Sequence, residues 1–122
     1  MIKRIIQERI EASLFKGKAI IIYGARQVGK TTLIQAIQKN FPEADSIYIN
    51  CDEPDLRAIL TDVTSTALRE IIGNKKLVFI DEAQRVKNMG LTLKLLVDNF
   101  PDRQVVATGS SSLDLSNEIV EP

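Results

Sequence analysis

Apolar residues recur along this chain at two alternating spacings. Ile2, Ile5, Ile6, Ile10 and Leu14 follow a helical interval among Lys3, Arg4, Glu8 and Glu11, which predicts an amphipathic helix over residues 2–15 stopping near Gly17. Ala19 to Tyr23 is a short continuous apolar run, the pattern of a strand buried on both faces. A glycine-containing turn, 24–29, leads to a helix from about 30 to 40 that buries Leu33, Ile34 and Ile37 and ends at Phe41-Pro42. Ser46 to Asn50 reads as the second strand. Pro54 then opens a helix carrying Leu56, Ile59, Leu60 and Val63. The stretch Thr61 to Thr66 is poor in helix formers and predicts a break, after which Leu68, Ile71 and Ile72 mark a second piece stopping at Gly73-Asn74. Leu77 to Ile80 is the third strand, Met89 to Phe100 another helix closed by Pro101, and Gln104 to Thr108 the fourth strand.

A leading helix followed by alternating strands and helices implies a parallel sheet covered on both faces, an α/β fold. Beyond Gly109 the chain turns polar and Ser-rich, and no fifth strand is visible. The division expected is an N-terminal helix over 1–17 and a core over 18–122. With the fifth strand missing, the first strand would be an edge. Its unpaired apolar run would then invite self-association or leave the chain marginally stable.

Composition narrows the chemistry. The 122 residues are 44% hydrophobic and 26% charged, ordinary for one globular domain. Sixteen Lys and Arg balance sixteen Asp and Glu, which disfavours a strongly basic nucleic-acid binder. Cys51 is the only cysteine and there is no histidine, so an internal disulfide, the usual zinc sites and histidine-dependent nucleophilic catalysis are all excluded. No run approaches a membrane span and the N-terminus lacks a signal-peptide core, so the expected location is the cytoplasm.

The most specific signal is Gly24-Ala25-Arg26-Gln27-Val28-Gly29-Lys30-Thr31, which matches G-x-x-x-x-G-K-[ST] between a strand and a helix. Its glycines let successive backbone N–H groups point inward, and with the positive helix end they hold phosphate oxygens. Lys30 can reach the β- and γ-phosphates, and the Thr31 hydroxyl can ligate Mg²⁺. Arg26 and Gln27 read either as loop filler or as γ-phosphate contacts. Gly24, Gln27, Val28, Gly29 and Thr32 complete the expected nucleotide-binding segment.

Asp81 and Glu82 follow four apolar residues, so both carboxylates belong at the sheet's carboxyl edge, where open α/β sheets bind ligands. Asp81 is the candidate for supporting Mg²⁺, and Glu82 for taking a proton from the attacking water. That second acid favours an ATPase over a kinase, which has no water to activate. A guanine-reading Asn-Lys-x-Asp run is missing, because Asn74-Lys75-Lys76 is followed by Leu77. Thr108 or Ser110, at the end of the fourth strand, could hydrogen-bond γ-phosphate or orient the water.

Together these motifs resemble a known group. Gly24–Thr31, Tyr48-Ile49-Asn50 with its acidic-Pro turn, Ile80-Asp81-Glu82-Ala83-Gln84-Arg85 and Thr108-Gly109-Ser110-Ser111 are similar, in order, to the prokaryotic predicted ATPases of the AAA superfamily of P-loop NTPases. The resemblance implies a three-layer sandwich with strand order 5-1-4-3-2, of which 1-4-3-2 is visible in this sequence. It also implies ATP and Mg²⁺ as cofactors. Lys30 and Thr31 would bind nucleotide and metal, Asp81 would support the metal, and Glu82 would activate water. The Thr108–Ser110 segment would sense γ-phosphate, and adenine would lie near residues 14–19. Family members continue past the Thr-Gly-Ser-Ser segment, so the expectation is a C-terminally truncated chain lacking the region that supplies a sensing arginine.

The leading reading is an ATP-binding module that couples hydrolysis to conformational change, with a protein client and homo-oligomerisation as further expectations. A nucleotide-binding switch with negligible hydrolysis is the first alternative. A nucleic-acid-associated motor, suggested by Asp-Glu-Ala-Gln, is the second. In-chain candidates for a charge-stabilising arginine are Arg26, Arg85 and Arg103, with solvated surface positions expected for the last two.

Overall fold

A computed structural model describes residues 2–23, 29–109 and 118–120. Its elements in chain order are α1 (Ile2–Ser13), β1 (Ile20–Tyr23), α2 (Lys30–Gln38), β2 (Ser46–Asn50), α3 (Pro54–Leu60), α4 (Ser65–Ile72), β3 (Leu77–Asp81), α5 (Met89–Asn99), β4 (Gln104–Gly109) and β5 (Glu118–Val120). Short 3₁₀ turns occupy Glu43–Asp45 and Ala83–Arg85.

Local chemistry sets the boundaries. Pro54 stands in the first turn of α3, where its missing N–H costs nothing. The expected break follows Leu60, and Thr64 restarts the chain as the α4 cap, its hydroxyl accepting from the Ala67 amide at 3.1 Å. Strands β3 and β4 are buried at every position, as continuous apolar runs require.

The sheet is parallel throughout, in the order β2-β3-β4-β1-β5. The 1-4-3-2 run agrees with expectation. The missing fifth strand does not, because Glu118–Val120 pairs with Ile20–Ile22 on the open side of β1. Three residues with two apolar positions, after a polar stretch, are too short to show a strand period. β1 is therefore flanked on both sides, and the ground for expecting edge-driven self-association is removed.

Alternation along the strands divides the core into two layers. Ile20, Ile22, Leu77, Phe79 and Val106 pack with Ile10 of α1 and with Leu33, Ile34 and Ile37 of α2. Ile21, Ile49, Val78, Ile80, Val105 and Ala107 face α3, α4 and α5 through Leu60, Leu68, Ile72, Leu93 and Leu96. Phe79, at the middle of β3, is completely buried, and a side chain of its size contributes roughly 1.5–3 kcal/mol on burial. One sequence expectation fails here: Ile5 is 59% exposed. It lies roughly 140° around the helix from the buried Ile10, whereas Leu14 is only about 40° away.

Gln104, buried at the amino end of β4, ties down the segment between α1 and β1. Its Oε1 accepts from the Phe15 amide at 2.5 Å, and its Nε2 donates to the carbonyls of Lys18 and Val105, both at 2.9 Å. Gln104→Leu would keep the volume but take this partner from one backbone donor and two carbonyl acceptors. Each such group costs about 1–3 kcal/mol when buried without a partner. The expected result is a loss of about 3 kcal/mol of stability, read as a lower urea midpoint with an unchanged slope.

Candidate functional site

The first turn of α2 follows β1 across residues 24–28, so it begins at the carboxyl edge of the sheet. Gly29, its N-cap, sits at φ 79°, ψ 26°, a left-handed conformation that a side chain would strain. The first intrahelical donor is the Leu33 amide, bonded to the Gly29 carbonyl at 2.9 Å. The amides of residues 30–32 therefore have no acceptor within the helix and carry its positive end. Lys30 and Thr31 are the first two residues of α2, and Thr32 is exposed beside them. Gly24, Gln27, Val28 and Ser110 lie outside the described residues.

Period-2 alternation decides where the acids fall. Asp81 is on the same sheet face as Leu77 and Phe79, which is the face covered by α2. Register brings two hydroxyls to it. Asn50 pairs with Asp81, so Tyr48 is its diagonal neighbour on β2, and Thr108 follows Ala107, the partner of Ile80, on β4. The Tyr48 hydroxyl donates to Asp81 Oδ2 at 2.5 Å and the Thr108 hydroxyl to Asp81 Oδ1 at 2.5 Å. Asp81 is only 2% exposed, and a buried carboxylate needs donors of this kind.

Glu82, next in sequence, leaves the strand with φ 55°, ψ 47°, a left-handed turn that is uncommon for a residue with a side chain. Its amide is held by Thr108 Oγ1 at 3.1 Å, and its Oε1 accepts from Gln84 Nε2 at 2.8 Å. Backbone strain of this kind clusters at functional sites. Thr108 thus stands between the two acids, fully buried, with its single proton given to Asp81. The hydroxyl expected to meet γ-phosphate or orient the water is, in this geometry, bonded to both acids.

Neighbouring groups complete the edge. Arg85 Nε pairs with Asp52 Oδ1 at 2.7 Å, and the Asp52 amide bonds to Asn50 Oδ1 at 3.0 Å, so the loop after β2 is fastened to the turn after β3. Arg103 is elsewhere. It sits beside Gln104 at the amino edge, donating at 2.9 Å to the carbonyls of Gly73 and Lys75, with Phe100 under its guanidinium. It is a structural clamp rather than a solvated residue, and it is remote from the acids. Burial pushes the Cys51 thiol up to about 12, with the charge of Asp81 adding to the effect, so it stays protonated at neutral pH. A groove of about 380 Å³ between the end of α2 and the start of β2, lined by Gln35, Gln38, Lys39, Phe41, Glu43 and Ser46, also lies toward the amino edge, away from Asp81.

The sequence singled out Asp81, Glu82 and Thr108, and the fold brings all three together. It gave no role to Tyr48 or Gln84. The available signal was the one hydroxyl-bearing residue between two isoleucines, two positions before the end of β2.

Comparison with known proteins gives the same frame. The chain is 38% identical over 119 residues to an uncharacterized protein of Methanocaldococcus jannaschii, covering 95% of this chain and 26% of that protein. It is 32% identical over 111 residues to an uncharacterized protein of Mycobacterium tuberculosis, covering 88% of this chain and 23% of the other. The chain thus spans about a quarter of the length of these relatives. A DNA replication initiation factor shares the fold, with a TM-score of 0.60 at 19% identity over 97% of this chain and 44% of that one. Among the described residues no helix is long and apolar enough to cross a membrane. The AAA domain family matches residues 16–122, so the chain belongs to that family and is a P-loop domain of the AAA ATPase type.

Proposed function

We propose that this domain binds ATP with Mg²⁺ and hydrolyses it, coupling nucleotide state to a conformational change. The observation that carries the reading is that Asp81 ends β3 on the sheet face covered by α2, the helix that the G-x-x-x-x-G-K-T motif opens. In this reading the amides of Gly24 to Thr32, with Gln27 and Val28 in the loop, hold phosphate oxygens. Lys30 neutralises the β- and γ-phosphates, and Ser110 is the hydroxyl remaining for γ-phosphate contact.

The donor set fits a hard cation. Asp81 and the Thr31 hydroxyl offer oxygen ligands only. Mg²⁺ characteristically takes one or two carboxylates, substrate phosphates and retained water. Asp81 and Thr31 would hold it, and when bound it would neutralise charge on the transferring phosphoryl group. Glu82 takes the proton of the attacking water, and the bond from Gln84 orients its carboxylate. A reduced thiol at Cys51 and ATP as ligand both suit the cytoplasm.

Titration of the chain with a fluorescent ATP analogue, with and without Mg²⁺, tests the reading. Saturable binding that tightens with Mg²⁺ is expected, together with phosphate release from ATP. No binding under either condition overturns the assignment, and binding without phosphate release leaves a nucleotide switch.

A further inference from the structure

We infer that Tyr48 and Thr108 are positioning residues that clamp the Asp81 carboxylate from two neighbouring strands, fixing it for a divalent cation, and that Thr108 locks the same carboxylate to the backbone of Glu82. The inference rests on the reading of Asp81 as the support for that cation.

Each oxygen of Asp81 receives one hydroxyl proton, at 2.5 Å in both cases, from β2 on one side and β4 on the other. Bonds of this length from O–H to an ionised carboxylate are the short, charge-assisted kind, roughly twice as strong as neutral ones. Two such bonds, from the strands on either side of β3, fix the rotation of the carboxylate plane and with it the direction in which the acid faces a cation or its water. A tyrosine and a threonine each have one proton to give. While these bonds stand, the proton of each hydroxyl is given to Asp81.

Thr108 does more than Tyr48. Its oxygen also accepts the Glu82 amide at 3.1 Å, at the residue whose φ is 55°. Any rotation of the Asp81 carboxylate that broke the Thr108 bond would also disturb the anchor of Glu82. Cation support and water activation are therefore joined through one buried hydroxyl. Outer-shell partners of metal ligands are typically worth 10–100-fold in metal affinity.

The test measures Mn²⁺ uptake, from the free Mn²⁺ paramagnetic resonance signal, by the full chain saturated with ADP. Tyr48→Phe is expected to raise the Mn²⁺ dissociation constant about 10-fold or more. Thr108→Val should do the same, and should also lower phosphate release at saturating cation. Thr108→Ser, which keeps the hydroxyl, should restore both. Asp81→Asn should weaken uptake further, and adding Tyr48→Phe to it should change nothing more, because the phenol acts only through that carboxylate. Wild-type uptake with Tyr48→Phe within about twofold of it, or effects of Tyr48→Phe and Asp81→Asn that simply add, would overturn the inference. Should Tyr48→Phe fail to fold, the Val and Ser variants at position 108 carry the same decision. Equal uptake by wild type and Asp81→Asn would instead overturn the reading of Asp81, and the clamp with it.

Discussion

Lys30→Ala is expected to weaken ATP binding by about 100-fold or more while leaving the unfolding midpoint almost unchanged. The first half follows from charge. A nucleotide triphosphate brings several negative charges to the first turn of α2, where backbone amides and the helix dipole supply only partial positive charge. Truncating one member of a desolvated, hydrogen-bonded charge pair costs about 2–5 kcal/mol, and 1.4 kcal/mol is tenfold in affinity. The second half follows from position. Residue 30 is the first residue of α2, one turn before the core residues Leu33 and Ile34, and alanine is at least as good a helix former as lysine. Fluorescent-nucleotide titration and urea unfolding of the same preparations give the two numbers. Equal affinity of variant and wild type would remove residues 24–31 from the phosphate site. Equal loss of affinity and stability would mean that the variant had damaged the fold and not the site.

Periodicity made most of this fold legible, and the reasons are visible element by element. β3 and β4 are continuous apolar runs because both their faces are covered, so the sequence needs no tertiary information to reveal them. α2, α3 and α5 carry helical spacing and clear stops. Ile5 misled because a run of isoleucines around α1 looks like one face until the angles are counted from Ile10. β5 was invisible because it is only three residues long; its pairing with β1 depends on an open neighbour and not on its own pattern.

The site was legible to the same depth and no further. Asp81 and Glu82 stand at the end of an apolar run, and that alone predicts the carboxyl edge. What surrounds them depends on register. Tyr48 reaches Asp81 only because Asn50 pairs with it, and a slip of one residue would have turned the phenol to the opposite face. Thr108 was singled out for its hydroxyl, but whether that proton faces a ligand or a neighbouring carboxylate is decided by β4 lying beside β3. Arg103 likewise could not be assigned from sequence, since its partners are carbonyls 28 and 30 residues away.

Glu82→Gln separates binding from chemistry. The substitution keeps the shape of the side chain and leaves an oxygen able to accept the Gln84 bond. It also leaves the Glu82 amide free to bond Thr108, so the left-handed turn at the end of β3 should persist. Nucleotide affinity, with Mg²⁺ present, should therefore stay within about twofold, since the change removes less than a typical net hydrogen bond is worth. Hydrolysis should not survive. An amide cannot take the proton of the attacking water, and a positioned general base is worth about 10²–10⁴ in rate. The wild-type rate sets how much of that range can be seen. Arg103 is committed at the far edge of the sheet, and Arg85 is paired with Asp52, so neither is set to stabilise charge on the transferring phosphoryl group. An arginine in that role is worth about 10³–10⁵. With neither in place, the chain should turn ATP over far below the ordinary enzyme rate of about 1 s⁻¹ or more. Phosphate release by the wild-type chain and by Glu82→Gln checks both expectations. Turnover near 1 s⁻¹ would mean that an arginine within the chain, Arg85 released from Asp52 or Arg26, already serves the site. Turnover unchanged by Glu82→Gln would mean that some other group takes the proton.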